Sequence, residues 1–292
     1  MHAFLNSNKV QSLDASLNDA LSRLPNGAIP INPRVVALTG AGISAESGIP
    51  TFRGSEGYWV VGSRNYMPEE MATRRMFTAH PDEVWHWYLY RFGLCRHALP
   101  NPAHAALVQL EAALGERFRL VTQNIDGLHR RAGSSVERTY CIHGDSAYVR
   151  CSHECGRGLM PLPEVQIPSL DVEFTEAMRE QLKCEHCGAW LRPHVLWFDE
   201  YYDEENYRAD SAMRAAAQAD VLLVVGSSGA TNLPMQLATL CARRGATIID
   251  INPEPNPFSA IAQRAKCGLS IHHTASEAVP AIVASLRAAS AG

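Results

Sequence analysis

The sequence has 292 residues, the length of one large domain or of a large domain that carries a smaller one. Hydrophobic residues make up 46% of it and charged residues 19%, which allows a folded core and excludes an intrinsically disordered chain. The net charge of −4 argues against general nucleic-acid binding, because that function needs a basic surface. The longest apolar run, Val221 to Val225, is far too short to cross a bilayer, and no secretory signal is visible. We therefore expect a soluble, cytoplasmic protein that binds neither nucleic acid nor membranes.

The first elements in chain order are a predicted helix around Leu13–Leu24 and a buried strand over Arg34–Thr39 that runs into a glycine-rich turn. From Gly54 to Pro102 the chain is rich in aromatic, arginine and methionine residues. Within this stretch, Asp82–His97 has helical periodicity. A helix over 103–114 and a strand over Phe118–Thr122 follow.

Residues 147–190 contain two close cysteine pairs and one predicted helix near Phe174–Leu182. After them strands and helices alternate again, and the predicted elements are the strand Val195–Phe198, a helix through Asn206–Ala219, the strand Asp220–Val225, a helix over Pro234–Arg244, the strand Ala246–Ile251 and a helix over Ser276–Ala288. Continuous apolar strands separated by helices predict a parallel sheet covered on both faces. We expect a doubly wound α/β domain with a helical insertion and a cysteine-bearing insertion.

The glycine-rich turn after the first strand reads Gly40-Ala41-Gly42-Ile43-Ser44-Ala45 and fits the pattern G-x-G-x-x-A. Glycines permit the tight turn and let backbone amides approach a pyrophosphate. An ordinary dehydrogenase would also end its second strand on an acidic residue about 20 residues later. Residues 54–62 are instead glycine-rich and aromatic. The turn favours dinucleotide binding without favouring a dehydrogenase.

Six blocks of sequence, in the same order as in the family, resemble the signature of the sirtuins, the NAD-dependent protein deacylases. They are GAGISAESGIPTFRG at 40–54, TQNIDGLH at 122–129, IHG at 142–144, RPHVLWFDE at 192–200, GSS at 226–228 and INPE at 251–254. The resemblance implies one sirtuin-like catalytic domain over 1–292, similar to the bacterial, desuccinylase-type subclass. Its expected parts are a Rossmann-like NAD-binding part over 31–54, 102–146 and 191–288, a helical insertion with the acyl pocket over 55–101, and a zinc-binding module over 147–190.

The resemblance implies that His143 is the general base of a reaction in which the substrate acyl oxygen attacks C1′ of the nicotinamide ribose. Histidine suits this role because its side chain titrates near neutral pH, although a structural histidine is the alternative. Asn124 and Asp126 follow a strand at the end where parallel sheets bind ligands, so we expect them to serve the ribose and a positioned water. The alternative is that Asn124 and Asp126 only stabilise a turn.

The resemblance also assigns a set of residues to NAD, which is consumed as a co-substrate. They are Gly40, Ala41, Gly42, Ser44, Phe52, Arg53, Gln123, Asn124, Asp126, Gly226, Ser227, Ser228, Asn252 and Glu254. Phe52 and Arg53 lie in a Gly/Pro-flanked loop that can close over NAD and shield the reacting centre from water. Asn252 and Glu254 end the last predicted strand, where they could equally cap a loop.

The two cysteine pairs read C-x3-C at Cys151 and Cys155 and C-x2-C at Cys184 and Cys187. Four thiolates from two such turns form the tetrahedral set that suits a structural Zn²⁺. Because His153 and His186 lie inside the pairs, a mixed Cys/His ligand set is the alternative.

Tyr88 and Arg91 lie three residues apart and share one face of the predicted helix. They resemble the Y-x-x-R pair of sirtuins that remove succinyl, malonyl and glutaryl groups, and a guanidinium with a phenol hydroxyl can bind an acyl carboxylate. The alternative is an aromatic core stripe with Arg91 extending to the surface. The same resemblance implies that Val195, Trp197 and Phe198 contact the substrate.

Two segments depart from the family pattern: Asp199 replaces the usual glycine, and Ser227–Pro234 lacks V-x-P and is one residue longer. We expect a deacylase that acts on acylated-lysine proteins or peptides and releases nicotinamide and O-acyl-ADP-ribose. A general deacetylase, an ADP-ribosyltransferase on the same scaffold and a non-catalytic NAD or ADP-ribose sensor are the alternatives.

Overall fold

The computed structural model describes Leu17, Asp19, Ala20, Ser22 and residues 27–51, 68–169 and 171–291. The four isolated residues are helical, and the rest of the helix predicted around Leu13–Leu24 lies outside the described residues. In the part of the chain that the structure describes, no helix is both long and apolar enough to span a membrane.

The strands, in chain order, are β1 (Val35–Thr39), β2 (Phe118–Thr122), β3 (Thr139–Cys141), β4 (Gly144–Cys151), β5 (Leu159–Pro161), β6 (Leu191–Val195), β7 (Val221–Val225), β8 (Thr247–Ile251) and β9 (Gly268–Ile271). The α-helices are α1 (Pro68–Met71), α2 (Arg74–Ala79), α3 (Pro81–His97), α4 (Pro102–Leu114), α5 (Leu128–Ala132), α6 (Glu176–Gln181), α7 (Glu204–Tyr207), α8 (Ala209–Gln218), α9 (Asn232–Arg243), α10 (Pro257–Arg264) and α11 (Ala275–Ala291). A 3-10 helix over Ala41–Ser47 follows β1.

Six strands form a parallel sheet in the order β3-β2-β1-β7-β8-β9. The predicted doubly wound α/β architecture is thereby confirmed. The strand order runs outward in both directions from β1 and β7, so the chain reverses its winding between these two central strands. In such sheets ligands bind at the carboxyl ends of the strands on either side of this switch point.

Both faces of the sheet are covered, as the apolar strands predict. Leu107 and Leu110 of α4 and Ile282 of α11 pack on one face, while Leu237 of α9 and Phe258 of α10 pack on the other. All five side chains are fully buried.

A second sheet, antiparallel and in the order β5-β4-β6, carries the cysteine pairs. The predicted strand Val195–Phe198 is wrong in position: the strand is Leu191–Val195, and it pairs with β4 in this second sheet. The apolar run Val195–Phe198 belongs mainly to the loop after β6, in which Trp197 is buried by packing on other elements and Phe198 is exposed.

The two insertions share one hydrophobic core instead of forming separate units. Trp85, Tyr88 and Phe92 of α3 pack with Leu191 and with Trp197. The indole of Trp85 donates a hydrogen bond to the carbonyl oxygen of Leu191 at 2.8 Å. The helical insertion therefore supports the small sheet and the loop that follows β6.

The helix predicted through Asn206–Ala219 is divided at Arg208, which has a φ of +54°. A left-handed backbone at a non-glycine residue ends α7 after one turn. The Asp203 carboxylate begins that helix by accepting a hydrogen bond from the Asn206 amide at 2.6 Å.

Candidate active site

The carboxyl ends of β1 and β7 meet at three glycines. The Gly42 amide donates to the Gly226 carbonyl at 2.8 Å, and the Gly40 amide donates to the Val225 carbonyl at 3.0 Å. A Cβ on Gly42 would lie 2.6 Å from the Gly226 Cα, and Gly226 itself has a φ of +60°. These glycines are therefore needed because two strand ends approach backbone to backbone. The helix after the turn is of the 3-10 type rather than an α-helix.

Gln123, Asn124 and Asp126 follow β2 at this same edge. The Asn124 side-chain amide donates to the Gly40 carbonyl at 3.1 Å and to Ser44 Oγ at 3.2 Å. Ser44 Oγ in turn donates to Asp126 Oδ2 at 2.7 Å. The structure thus brings together the predicted residues of the first and second sequence blocks.

Asp126 is buried, and its second carboxylate oxygen accepts the Leu128 amide at 2.8 Å, which begins α5. Burial raises the pKa of its carboxyl, and the hydrogen bonds from Leu128 and Ser44 oppose that rise. Asp126 therefore holds the loop geometry around Asn124. Its role toward the ribose or a water stays a prediction.

His143 follows β3 and reaches the same edge of the sheet. Its Nε2 lies 2.9 Å from the Tyr202 hydroxyl. Burial lowers the pKa of His143 from 6.5 to about 4, and a hydrogen bond with the Gln123 backbone opposes this shift. The imidazole is accordingly neutral at pH 7 and has a lone pair with which to accept a proton.

The loop after β6 is fixed by a buried ion pair between Arg192 and Glu200. Arg192 Nη2 lies 2.8 Å from Glu200 Oε2, which also accepts the Trp197 amide at 3.1 Å. Arg192 also donates to the Val195 carbonyl at 3.0 Å. Trp197 is buried, whereas Phe198 is 55% exposed, so the loop presents Phe198 outward.

Asp199, which departs from the family pattern, turns its carboxylate away from this loop. It accepts the Arg74 amide at 2.7 Å and the Arg75 amide at 3.1 Å, at the start of α2. A carboxylate at a helix N-terminus satisfies amides that have no partner within the helix. The charge that replaces the family's glycine is thus used to dock α2 on the loop.

Tyr88 and Arg91 are both buried in α3. The Tyr88 hydroxyl oxygen accepts a hydrogen bond from Trp197 Nε1 at 3.0 Å, and the Arg91 guanidinium lies 3.9 Å from the centre of the Trp87 ring. Arg91 is only 2% exposed, so the alternative that it extends to the surface is wrong.

The remaining predicted NAD ligands are placed less closely together. The Asn252 side chain donates to the Ser227 carbonyl at 3.1 Å and thereby joins the ends of β7 and β8, while Ser228 and Glu254 are exposed. Phe52 and Arg53 lie outside the described residues. The NAD-binding roles of all these residues stay predictions.

The four paired cysteines converge on one point: the ligand atoms of Cys151, Cys155, Cys184 and Cys187 all lie within 4.8 Å of one another. The Sγ atoms are 3.4 Å apart for Cys151 and Cys187 and 3.7 Å apart for Cys155 and Cys184. A tetrahedral zinc with Zn–S bonds of about 2.3 Å needs S···S distances of about 3.8 Å. The cluster therefore fits a structural Zn²⁺ with four thiolate ligands.

The second pair also has the backbone geometry of a metal-binding turn. Backbone amides of Cys187 and His186 donate to the Cys184 sulfur and lower the pKa of this thiol to about 7, whereas burial and the neighbouring sulfurs raise the pKa of Cys155. Among the described residues, the cluster of ligand atoms includes neither His153 nor His186, and both are exposed. The all-cysteine set is favoured over the mixed set.

Sequence reasoning missed Tyr202, Thr231 and a structural role for His129. His129 ends the TQNIDGLH block and lies in the core, where its Nε2 is 2.9 Å from Thr39 Oγ1. Thr231 could have been suspected because it lies in Ser227–Pro234, a segment that departs from the family pattern, whereas Tyr202 carried no such signal.

A sequence model of the Sir2 family matches residues 40–232. An NAD-dependent protein deacylase of Leptospira interrogans is 41% identical over 227 residues, covering 78% of this chain and 84% of that relative. One of Thermus thermophilus is 42% identical over 232 residues, covering 78% and 83%. A crystal structure of a Sir2 homologue with NAD has a TM-score of 0.71 and 38% identity and covers 87% of this chain and 90% of its own. The chain belongs to the Sir2 family.

Proposed function

We propose that this Sir2-family chain is an NAD-dependent protein-lysine deacylase whose acyl pocket prefers acyl groups that end in a carboxylate. The first part is supported by relatives at about 40% identity that carry the name NAD-dependent protein deacylase. It is also supported by the hydrogen bond that joins Asn124 to Ser44 at the carboxyl ends of β2 and β1, beside the switch point of the sheet where a dinucleotide would bind. His143 follows β3 at the same edge and contacts the backbone of Gln123, the residue before Asn124.

The chain's own residues have separable tasks in this reaction. Gly40, Gly42 and Gly226 let the ends of β1 and β7 approach backbone to backbone, which forms the tight turn whose amides would bind the pyrophosphate of NAD. Asn124 orients groups on the ribose side, and the neutral His143 receives a ribose hydroxyl proton after nicotinamide has left. When bound, NAD supplies the reactive C1′ to which the acyl oxygen adds.

The neutral His143 is the observation that favours an enzyme over a protein that only binds NAD, because NAD binding alone needs no general base. His143→Ala should abolish formation of O-acyl-ADP-ribose and leave zinc content and thermal unfolding unchanged. An enzyme that has lost its general base retains at most about a few per cent of its turnover. A higher turnover in His143→Ala would therefore refute the assignment. If ADP-ribosylated protein forms instead of deacylated peptide, the ADP-ribosyltransferase alternative is correct. No turnover of any acylated peptide by the wild type would favour the sensor.

The acidic-acyl preference is supported by the burial of a guanidinium next to a phenol hydroxyl. The Arg91 guanidinium offers a planar fork of N–H donors, and a carboxylate is the strongest acceptor that a substrate acyl group can bring to it. Because the Tyr88 oxygen already accepts from Trp197, its own hydrogen can donate to an acyl carboxylate. Trp197 connects this pair to the loop that we expect to bind the substrate.

A comparison of succinyl- and acetyl-lysine peptides of the same sequence tests this preference. We expect wild type to favour the succinyl peptide and Arg91→Met to lose activity on that peptide alone. A desolvated charge pair broken on one side costs roughly 2–5 kcal/mol, or on the order of 30-fold to several thousandfold in kcat/KM. Arg96→Met, at an exposed position of the same helix, is the matched control. Equal wild-type activity on both peptides, or equal losses in the Arg91 variant, would leave a general deacetylase.

A further inference from the structure

A groove lies at the amino-terminal edge of the main sheet, between α8 and the first residues of β1. Its volume of about 310 Å³ is at the lower end of the range for small-molecule sites, roughly 300–1,000 Å³. Arg34 and Gly40 stand at opposite ends of β1, roughly 20 Å apart at about 3.3 Å per residue. The groove is therefore separate from the glycine turn at which we expect NAD.

The groove is positively charged, although the chain has a net charge of −4. Among the described residues, the charged groups that line it are Arg34, Arg117, Arg119, Arg214 and Glu116. Glu116 is shared between Arg138 at 2.8 Å and Arg119 at 3.0 Å, and their hydrogen bonds lower the pKa of its carboxyl. Glu116 therefore does not neutralise the other three arginines of the lining.

Arg119 forms one wall of the groove with donors that are already used. Its Nε donates to the Tyr140 hydroxyl at 3.2 Å, and its Nη1 donates to the carbonyl oxygens of Glu116 and Phe118 at 2.9 and 2.7 Å. Tyr140 is buried, and the Arg208 guanidinium lies 4.8 Å from the centre of its ring. A nucleobase could therefore not stack on Tyr140 in the way that aromatic side chains bind bases.

The other three arginines have donors left for a ligand. Within the described part of the chain, the exposed Arg34 guanidinium has no hydrogen-bonding partner, and Arg117 donates to one neutral group, Asn32 Oδ1, at 2.9 Å. Arg214 lies 3.4 Å from Glu204 and its side chain is 65% exposed, so this ion pair is weak. Because a guanidinium has five N–H donors, most donors of these three side chains can still bind an anion.

The three side chains reach the groove from three separate elements. Arg34 precedes β1, Arg117 precedes β2, and Arg214 lies in α8. A guanidinium presents a planar fork that matches phosphate oxygens, and a cleft lined by one sign of charge attracts ions of the opposite sign. A single carboxylate has too few oxygens to meet three such forks, whereas two linked phosphate groups have enough. The groove therefore favours a compact anion with several phosphate oxygens.

We propose that this groove is a binding site for a small molecule that carries two or more linked phosphate groups, and that Arg34, Arg117 and Arg214 bind these phosphates. The site shares no residue with the candidate active site, so the proposal does not rest on the proposed function. The bound anion neutralises three cations that otherwise repel one another. It stabilises the folded chain by mass action, because the unfolded chain has no such site.

Binding of inorganic pyrophosphate to the full chain tests the proposal. Saturating ADP-ribose is added first so that the expected NAD site does not contribute, and salt at about 0.15 M screens unspecific attraction. Calorimetric titration should find one pyrophosphate per chain, and thermal unfolding should shift to a higher temperature. Inorganic phosphate should bind at least about tenfold more weakly, because it brings fewer charged hydrogen bonds. Zinc content, measured before and after, excludes loss of metal to pyrophosphate.

Arg34→Gln combined with Arg214→Gln removes two of the three proposed ligands. The matched control is Arg243→Gln with Arg244→Gln, which removes the same charge from exposed positions at the end of α9. We expect the groove variant to bind pyrophosphate about tenfold more weakly or worse, since hydrogen bonds between charged groups are lost, and the control to bind like wild type. Cooperative unfolding without pyrophosphate shows that each variant is folded. If the double groove variant is not folded, Arg34→Gln alone provides the comparison.

Three results would overturn the proposal. The first is no binding of pyrophosphate by wild type in the presence of ADP-ribose. The second is equal affinity in wild type and groove variant, or an equal loss in the control, because net charge alone would then attract the anion. The third is equal affinity for phosphate and pyrophosphate, which would remove the need for linked phosphate groups. None of these measurements depends on deacylation, so a failure of the proposed function is detected separately.

Discussion

The buried pair of Arg192 and Glu200 offers a quantitative test of how the loop after β6 is held. Arg192 is 3% exposed at its side chain and Glu200 11%. The Arg192 guanidinium also lies 3.5 Å from the centre of the Trp197 ring, and Arg150 lies 3.9 Å from Glu200. Glu200 is therefore the carboxylate that neutralises two arginines at this point.

Glu200→Gln keeps the shape of the side chain and removes its charge. A buried guanidinium left without its counter-charge costs about 3–5 kcal/mol. For a chain of this size that corresponds to a decrease in Tm of about 5 to 8 °C. Since the same carboxylate accepts the Trp197 amide, we also expect a higher KM for the acylated peptide. Denaturant unfolding and peptide kinetics measure the two effects.

The stability that the Glu200 carboxylate contributes depends on pH in a direction that its pKa determines. Burial pushes the pKa of Glu200 up, but the adjacent Arg192 outweighs it and holds the pKa below the ordinary value of 4.5. A depressed carboxyl pKa contributes stability that is complete above the unfolded-state pKa and is lost as pH falls through the folded-state pKa. The difference between wild type and Glu200→Gln should be full at pH 7 and shrink below about pH 4.5.

Glu176→Gln, in the exposed pair with Arg179, is the control and should unfold like wild type. A Glu200→Gln protein as stable as this control, or a stability difference that grows in acid, would refute the reasoning. The loop would then be held by the packing of Trp197 alone.

The other two predictions concern the metal site and the departure at Asp199. Cys184→Ser should lose zinc and unfold at a lower temperature, because a structural metal site contributes folding free energy. Elemental analysis should find one zinc per chain in the wild type. A substoichiometric amount of zinc in fresh, active protein would contradict this prediction. Asp199→Ala should cost about 1 kcal/mol for the lost contacts with α2, measured by denaturant unfolding. Asp199→Asn should recover part of that stability. Equal losses of stability in the two variants would mean that the Asp199 side chain does not cap α2.

Much of the main sheet follows from local sequence. Runs such as Phe118–Thr122 and Val221–Val225 are continuously apolar because both faces of a parallel strand are buried, and the predicted bounds match the structure within one residue. Proline and acidic residues at the start of α3 and basic residues at its end mark its limits in the same local way.

The convergence of the cysteines is also readable from sequence, because two cysteine pairs, each in a short turn, form the ligand set typical of a structural zinc site. Short strands and helices were not predicted: β3, β9 and α5 have three to five residues each and little periodicity. Their formation depends on the neighbours that pair with or cover them.

Only the tertiary structure decided what the departures from the family pattern do. Asp199, two residues after Trp197, gave no local sign that its carboxylate would meet the start of α2, more than 120 residues earlier. Tyr202 and Thr231 are separated by 29 residues, and the fold places the Tyr202 hydroxyl 2.9 Å from His143 Nε2 and the Thr231 hydroxyl 2.9 Å from Gln123 Oε1. A sequence pattern reports spacing along one element, whereas hydrogen bonds between loops are set by how the sheet brings strand ends together.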